Sequence, residues 1–292
     1  FQHRFPARRI IAFDKCFAGR SLVASQITDK PQYRDGLPST IDIDYIPYWE
    51  GEGSTEETLK ALRKILSRYP KQHAIIIFEL VQGEGGFYTA PKSFFRAIAE
   101  EAKKHEILIF SDEIQTFGRT YNLFAFQCFG LEDLVDIVAI GKMSQACATL
   151  FKSNVKPRPL LLSQTFTASS VAIKASHLII KKLIDEGYYG EKGKIAHIHT
   201  KFVEGFERIR KKNPHLISGP YGFGGMIAFT PLDGSPHKVQ SLIQKLFQKG
   251  VICFSAGSEP LRIRFLAPLL TITDDDIEQV LKILEETLLC HS

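Results

Sequence analysis

Four short, uninterrupted apolar runs constrain the fold of this chain more than any other feature of its sequence. They are Ile10–Phe13, Ala74–Phe78, Ile107–Phe110 and Leu134–Ile140. A continuous apolar run of this length is typical of a strand buried on both faces, as in a parallel sheet. Ser93–His105 has apolar residues at helical spacing between the second and third runs, which predicts a βαβ unit. The sequence therefore predicts an α/β domain with a mostly parallel sheet and flanking helices.

The last third of the chain has a different pattern of elements. It predicts a turn region at Gly219–Gly225, strands at Met226–Phe229, Val251–Phe254 and Leu261–Phe265, and helices at Lys238–Lys249 and Asp274–Leu289. This alternation favours a smaller α+β domain with its own core. We therefore expect a large domain over residues 1–188 and a small C-terminal domain over residues 189–292.

Composition narrows the class of function. The net charge of +5 comes from short basic stretches such as Arg208–Lys212, which lack the interleaved aromatic residues of a nucleic-acid surface. The five cysteines are scattered, without the spacing of a zinc site or a disulfide framework. No apolar run approaches the ~18 residues that can cross a bilayer. We expect a cytoplasmic protein with no metal site and no nucleic-acid or membrane partner.

Acidic residues stand at or just beyond the ends of three apolar runs, at Asp14, Glu79 and Asp112. Ligands of open α/β sheets bind beyond the carboxyl ends of the strands, so these acids mark the edge where a site is expected. Taken singly, a carboxylate at such a position is more often a cap or a turn residue.

Two sequence segments are more informative about function than the rest of the chain. Residues 107–120 are ILIFSDEIQTFGRT, and VDIVAIGK follows later and ends at Lys142. This arrangement resembles the class III aminotransferases, the ω-amino-acid and acetylornithine type of pyridoxal-phosphate enzyme of fold type I. Further matches, in the family's order, are FAGR at 17–20, ELVQGEGG at 79–86, Thr165-Phe166, and RFLAPL at 264–269.

The resemblance implies a fold, a cofactor and an assembly. Fold type I has a seven-stranded type of sheet, mostly parallel, with flanking helices and a smaller C-terminal domain. The cofactor is pyridoxal 5'-phosphate, and the family forms homodimers with shared active sites. The family binds the cofactor phosphate mainly through a Gly-Ser-rich segment upstream of the first strand. The sequence begins at Phe1 without that segment, so we expect N-terminal residues to be missing.

Lys142 and Asp112 match the two catalytic positions of the family. Lys142 matches the lysine that holds the cofactor as a Schiff base and, once released, moves the substrate proton as general base and acid. Asp112 matches the carboxylate that keeps the ring nitrogen protonated, which makes the ring a good electron sink. The alternative for Lys142 is a solvated lysine at a strand end, and the string that precedes it favours the catalytic role.

Three more residues match positions that contact the cofactor. Gln115 resembles the donor to the phenolic oxygen, with an exposed turn amide as the alternative. Phe17 resembles the aromatic residue stacked on the pyridine ring, although many relatives have histidine where this chain has Ala18. Thr165 resembles a threonine that reaches the phosphate from the neighbouring subunit, and its alternative role is the N-cap of the helix that follows.

Two residues match the family's substrate-binding positions. Arg264 resembles the arginine that binds a substrate carboxylate through two parallel hydrogen bonds. Glu84 resembles the glutamate that pairs with this arginine when an ω-amino donor is bound instead. The alternation of Arg262, Ile263 and Arg264 equally fits a solvent-facing strand edge. The Pro268-Leu269 that follows favours Arg264 over Arg262 as the functional residue.

We predict pyridoxal-phosphate-dependent transamination between an amine donor, either an amino acid or an ω-amine, and an oxo-acid, with 2-oxoglutarate and glutamate as the second pair. The pattern leaves the amine donor open. One alternative is an aminomutase of the glutamate-semialdehyde kind, which keeps the amine on one carbon skeleton. The other is a catalytically silent or truncated homologue that acts only as a binding unit.

Overall fold

A computed structural model describes residues 1, 4, 6–163, 165–166 and 169–290. Its contacts divide the chain into two compact units. Unit 1 contains Phe1–Leu80, Ala90–Phe117 and Phe124–Ile180, and unit 2 contains Val81–Thr89, Gly118–Leu123 and Lys181–Ser292. Two short segments from the N-terminal half are thus grouped with the C-terminal unit. The domain boundary at residues 188/189 stays a prediction.

The secondary structure alternates as expected for an α/β chain. Up to residue 185 the elements are β1 (Arg9–Phe13), α1 (Leu22–Ile27), β2 (Asp42–Ile46), α2 (Ser54–Arg68), β3 (His73–Phe78), β4 (Val81–Gln82), β5 (Tyr88–Thr89), α3 (Lys92–Lys104), β6 (Leu108–Glu113), α4 (Ala125–Cys128), β7 (Ile137–Ile140), β8 (Ala148–Phe151) and α5 (Ser170–Asp185). The remaining elements are α6 (Lys194–Lys212), β9 (Ile217–Phe223), β10 (Met226–Pro231), α7 (Pro236–Gln248), β11 (Phe254–Ala256), β12 (Arg262–Leu266) and α8 (Asp274–Leu289).

The sheet of unit 1 confirms the predicted α/β class. Its described strands run in the order β2-β1-β3-β6-β7-β8, and every neighbouring pair is parallel except β7 and β8. The sheet therefore has six described strands, where the resemblance implies a seven-stranded type. All four apolar runs contribute a strand. The strand from the fourth run, β7, begins at Ile137 and not at Leu134, because the backbone N–H groups of Leu134 and Val135 donate to the carbonyl of Leu131 at 3.0 and 2.9 Å and form a turn there.

The helix α3 shows why the spacing of its apolar residues predicted it. Phe94, Phe95, Ile98 and Ala102 are all fully buried. Phe94 and Phe95 pack against each other and against Phe13 of β1, with ring centroids 5.4 to 6.5 Å apart. Burying an aromatic side chain of this size contributes about 1.5–3 kcal/mol. This face of α3 therefore fixes the helix on the sheet.

Unit 2 is built on an antiparallel sheet in the order β11-β12-β10-β9. The prediction of a turn over Gly219–Gly225 was wrong, because most of this segment is the strand β9, paired with β10. Gly222 has φ +105°, and a Cβ there would lie 2.0 Å from the carbonyl oxygen of Met226, so its glycine permits close pairing of the strands. The predicted strand at Val251–Phe254 is also displaced, since β11 begins only at Phe254.

No helix within the described ranges is long and apolar enough to cross a membrane. In the same part of the chain, no group of three or more His, Cys, Asp or Glu side chains could hold a metal ion.

Candidate active site

The parallel pairing of β6 and β7 brings Asp112 and Lys142 to one edge of the sheet. Asp112 is the fifth residue of β6 and pairs in register with Ala139 of β7. Lys142 follows β7 by two residues and begins a short 3-10 turn, Lys142–Ser144. The positive charge of Lys142 acts on the Asp112 carboxyl and lowers its pKa. Two residues that are distant in sequence are therefore electrostatic neighbours in the fold.

The Asp112 carboxylate lies in a site that does not satisfy its charge. It is half-buried, and Oδ1 accepts the backbone N–H of Ile114 at 3.1 Å. Burial raises the pKa of Asp112 to about 6, although the Ile114 N–H and the charge of Lys142 both oppose the shift. A carboxylate in this state gains most from a cationic N–H donor placed against it. A protonated pyridine nitrogen is such a donor, so Asp112 and Lys142 together fit pyridoxal phosphate.

The backbone at Lys142 has an uncommon conformation. Its φ is +51°, in the left-handed region that few residues other than glycine adopt, and Gln145 at the end of the turn has φ +59°. The carbonyl of Lys142 accepts both the backbone N–H of Gln145 at 3.0 Å and its side-chain Nε2 at 3.1 Å. These bonds hold a conformation that costs on the order of 1 kcal/mol. The Lys142 side chain is exposed, so its amine is reachable.

Phe17 lies in the loop after β1, and neighbouring polar groups fix that loop. The backbone N–H of Phe17 donates to Oε1 of Glu79 at 2.8 Å, and its half-buried ring meets Tyr33 edge-on with centroids 6.2 Å apart. Asp14 accepts the backbone N–H of Tyr48 at 2.8 Å. Asp14 and Glu79 therefore act as loop-fixing acids, in agreement with the cap-or-turn alternative for strand-end carboxylates.

Gln115 is buried, with 8% of its surface exposed, so the alternative of an exposed turn amide is wrong. The loop that carries it is fixed by Glu113, a residue that sequence reasoning passed over. The fully buried Glu113 carboxylate accepts the backbone N–H groups of Ala125 at 2.7 Å and Phe126 at 2.8 Å, and the Thr116 hydroxyl at 2.8 Å. Its position beside Asp112 in the string SDEIQT was the available indication. Glu113 therefore caps α4 and shapes the turn around Gln115.

Thr165 lies exposed in a bend before α5. The oxygen that caps this helix belongs to Ser169, whose Oγ accepts the backbone N–H of Ala172 at 3.1 Å. The alternative role of Thr165 as the N-cap is therefore wrong. An exposed hydroxyl here is compatible with a partner outside the chain.

The two substrate-binding candidates form an ion pair inside unit 2. Nη2 of Arg264 lies 2.7 Å from Oε1 of Glu84, and Nη1 donates to the carbonyl of Gly83 at 3.1 Å. Arg264 is buried, and its strand β12 pairs with β10 on one side and β11 on the other. The alternative of a solvent-facing strand edge is therefore wrong for both Arg262 and Arg264.

Comparison with solved structures defines the fold class. The lysine aminotransferase of M. tuberculosis superposes with a TM-score of 0.87 at 24% identity, over 97% of this chain and 67% of that one. At this identity the likeness concerns the fold alone, which is that of an aminotransferase.

Comparison of sequences then gives the family. The family model described as aminotransferase class-III matches residues 2–288. The chain is 30% identical over 294 residues to the 5-aminovalerate aminotransferase of Pseudomonas aeruginosa, covering 95% of this chain and 68% of that relative. It is 32% identical over 304 residues to the 2-aminoadipate transaminase of Pseudomonas putida, covering 96% and 70%. This chain belongs to the class III aminotransferases, a pyridoxal-phosphate-dependent family.

The chain spans about two thirds of the length of the curated relatives it matches, for example 66% of the acetylornithine aminotransferase of Oceanobacillus iheyensis.

Proposed function

We propose that this chain catalyses pyridoxal-phosphate-dependent transfer of an amino group from an amine donor to an oxo-acid. The observation that carries the proposal is the juxtaposition of Asp112 and Lys142 at the ends of two parallel strands, with the Asp112 carboxylate desolvated and facing a lysine charge. When bound, the cofactor supplies an electron-accepting ring for the carbon that loses its proton. The residues of this chain hold that ring and move the proton.

Each site residue has one task in this proposal. Lys142 would hold the cofactor covalently, and its Nζ, once released from that bond, would take and return the substrate proton. Asp112 would keep the ring nitrogen protonated. Phe17 would pack on the ring and help to orient the reacting bond, and Gln115 would donate to the phenolic oxygen. The loop-fixing bonds from Glu79 and Glu113 support these two positions.

Arg264 and Glu84 would set which substrates enter. Arg264 presents a fork-shaped guanidinium to a carboxylate, and Glu84 neutralises it when an ω-amino donor takes its place. The two relatives named for 5-aminovalerate and 2-aminoadipate act, by their names, on an ω-amino and an α-amino acid. This supports an amine donor of the amino-acid class for this chain. We infer 2-oxoglutarate and glutamate as the second pair.

We propose that the protein is a cytoplasmic homodimer in which Thr165 of one subunit contacts the cofactor phosphate bound by the other subunit. The surroundings of Thr165 support this assembly, because large apolar side chains there are strongly exposed. Leu160 is 93% exposed, Phe166 73% and Val171, at the start of α5, 78%. Several exposed large apolar side chains in one stretch of sequence favour an interface there.

The test is covalent capture of the cofactor. The chain is incubated with pyridoxal phosphate, reduced with borohydride and digested, and the modified peptide is identified by mass spectrometry. We expect the adduct on Lys142, loss of the visible absorbance band on reduction, and no adduct in Lys142→Ala. Lys60→Ala, which changes an exposed lysine in α2, is the matched control and should label like the wild type.

Turnover is measured in the same preparations. Amine-dependent consumption of free 2-oxoglutarate supports transamination. An adduct on Lys142 with the amine retained on one carbon skeleton would instead indicate an aminomutase. A wild-type chain that forms no adduct on Lys142 contradicts the proposal.

A further inference from the structure

The hairpin β4–β5 carries Glu84 at its tip, and hydrogen bonds from outside the hairpin hold that tip in place. Its strands pair Val81 with Thr89 and Gln82 with Tyr88, and the Phe87 N–H closes the loop on the Gln82 carbonyl at 2.8 Å. Three carbonyls of the tip then accept from outside the hairpin. They are Gly83 from Arg264 Nη1 at 3.1 Å, Glu84 from the Gly257 N–H at 2.9 Å, and Gly86 from Arg262 Nη1 at 2.6 Å.

Of the two arginine side chains that bind the tip, Arg262 is the one that neither the family pattern nor the sequence marked for function. It lies two residues before Arg264, so the two side chains share one face of β12. Its guanidinium carbon lies 3.5 Å from the ring centre of Tyr221 and 4.0 Å from that of Tyr88. Only 5% of its surface is exposed. The two rings therefore fix the plane of the guanidinium, and its Nη1 points at Gly86.

Burying the Arg262 guanidinium between two rings costs free energy. Burial lowers the pKa of Arg262, and its Nε is buried without a hydrogen-bond partner among the described residues. The contacts with the two rings contribute about 0.5–2 kcal/mol each, against several kcal/mol for taking a guanidinium out of water. An apolar side chain could pack between two tyrosines without that cost. The contributions special to arginine are the directed N–H on the Gly86 carbonyl and a hydrogen bond with the Tyr88 side chain.

The backbone conformation at Gly86 suits the hydrogen bond from Arg262. Its φ is +123°, a conformation that favours glycine, and a Cβ there would lie 3.1 Å from the Tyr88 ring and 3.6 Å from Cδ of Arg262. The backbone of the tip is therefore held on both sides of Glu84, by Arg264 at Gly83 and by Arg262 at Gly86. Only the Glu84 side chain, which is 30% exposed, is left to move on and off Arg264.

We propose that Arg262 is a positioning residue for substrate choice: it latches the hairpin tip at Gly86 so that Glu84 returns to Arg264 whenever no substrate carboxylate is bound. This inference rests on the proposed pairing of Glu84 with Arg264 as the substrate switch. Without this hydrogen bond the tip becomes more mobile, so Glu84 pairs with Arg264 for a smaller fraction of the time. An ω-amino donor then binds next to a guanidinium whose charge is not neutralised. Carboxylate substrates, which displace Glu84 in any case, are unaffected.

The first measurement is amide hydrogen exchange in the absence of cofactor and substrate. Arg262→Met keeps the bulk between the two tyrosines and removes the guanidinium. We expect exchange at residues 84–87 to rise about tenfold. Arg96→Met is the matched control, because Arg96 of unit 1 also donates to a backbone carbonyl, that of Gly130 at 2.8 Å. Unchanged exchange at 84–87 in Arg262→Met, or an equal rise in the control, overturns the latch.

The second measurement follows the two half-reactions separately. In Arg262→Met we expect the KM for an ω-amine to rise about tenfold with little change in kcat, and the oxo-acid half-reaction to stay within about twofold. In a Glu84→Ala background the same change should add nothing to this selectivity. Equal losses in both half-reactions, or full additivity with Glu84→Ala, overturn the proposal. If the wild type shows no adduct and no turnover, the proposed function fails, while the exchange result still decides whether Arg262 holds the hairpin.

Discussion

The strand ends of unit 1 and the hairpin tip of unit 2 hold their charged groups in opposite ways. At the strand ends, Asp112 accepts one backbone N–H, and its pKa is raised to about 6 by burial. At the hairpin tip, Glu84 is matched to Arg264 at 2.7 Å, with further hydrogen bonds from the guanidinium and the backbone. The Asp112 carboxylate stays partly desolvated although the charge of Lys142 acts on it, whereas Glu84 is already neutralised by Arg264.

This difference indicates what each place does when a ligand arrives. A carboxylate held partly desolvated gains free energy when a cationic N–H group binds, so the strand ends favour a bound cofactor ring. A closed ion pair would have to open before a substrate carboxylate could bind, so under the proposed function we expect the hairpin tip to discriminate among substrates. Substitutions at the strand ends and at the hairpin tip should therefore have different effects.

The largest effect is expected from Lys142→Ala. Removing the amine deletes both the covalent hold and the group that moves the proton, so turnover should fall by about 10⁴-fold or more. Some cofactor should still bind, because Asp112 and Phe17 remain. Steady-state rates together with equilibrium dialysis of the cofactor measure the two quantities. A variant that retains near-wild-type transamination rules out Lys142 as the catalytic lysine.

Asp112→Asn should slow the chemistry without preventing cofactor capture. An amide cannot keep the ring nitrogen protonated, so we expect single-turnover proton abstraction to slow by about 10²–10³-fold. Borohydride should still trap the adduct on Lys142. Asp133→Asn is the control, since exposed Asp133 pairs with Arg96 on the surface. Comparable single-turnover rates in Asp112→Asn and wild type would refute the role of Asp112.

At the hairpin tip, Arg264→Ala should weaken the oxo-acid half-reaction and largely spare an ω-amino donor. Loss of a forked carboxylate contact costs on the order of 2–4 kcal/mol, roughly a hundredfold in affinity at the middle of the range. Glu84→Ala should do the reverse, because Arg264 then stays uncompensated. Each half-reaction is followed by cofactor absorbance in each variant. Equal losses in both halves in both variants mean that the pair is only structural.

The smallest effect concerns stability and pH in the cofactor-free protein. The folded-state pKa of Asp112 is raised to about 6, so its stabilising contribution is present below the unfolded pKa near 4 and is lost as pH rises through about 6. From about pH 5 to about pH 8, Asp112→Asn should therefore gain about 1 kcal/mol in unfolding free energy relative to wild type. Urea unfolding at the two pH values measures it. An advantage that shrinks with rising pH would contradict the assigned pKa shift.

Much of the fold followed from local sequence. The apolar runs gave four strands of the sheet, and the periodicity of α3 and α8 placed those helices within one residue of their observed ends or better. Both features arise from burial on a face set by the local repeat. The glycine-rich strand β9 was missed, because glycine usually marks turns and here serves close strand pairing. The strand β2 was missed as well, since its sequence DIDYI carries two acids, of which Asp44 binds Arg9 and His73.

The residues of the candidate site likewise fall into those that the sequence could identify and those that it could not. The strings around Asp112 and Lys142 could be recognised in the sequence, because the chemistry requires those residue types at strand ends. Glu113 and Arg262 could not be assigned, because their partners are distant in sequence or are backbone groups, as with Arg262 and Gly86, which are 176 residues apart.

The sequence by itself thus determined the class of fold, the family and the candidate residues for the proposed chemistry, because burial patterns and short motifs are local properties of a chain. Only the tertiary structure decided the electrostatic state of those residues. Burial raised the pKa of Asp112 despite the charge of Lys142, the fold closed Glu84 onto Arg264, and Arg262 came to lie between two tyrosine rings. Desolvation and the direction of a hydrogen bond depend on neighbours that come together only when the chain folds.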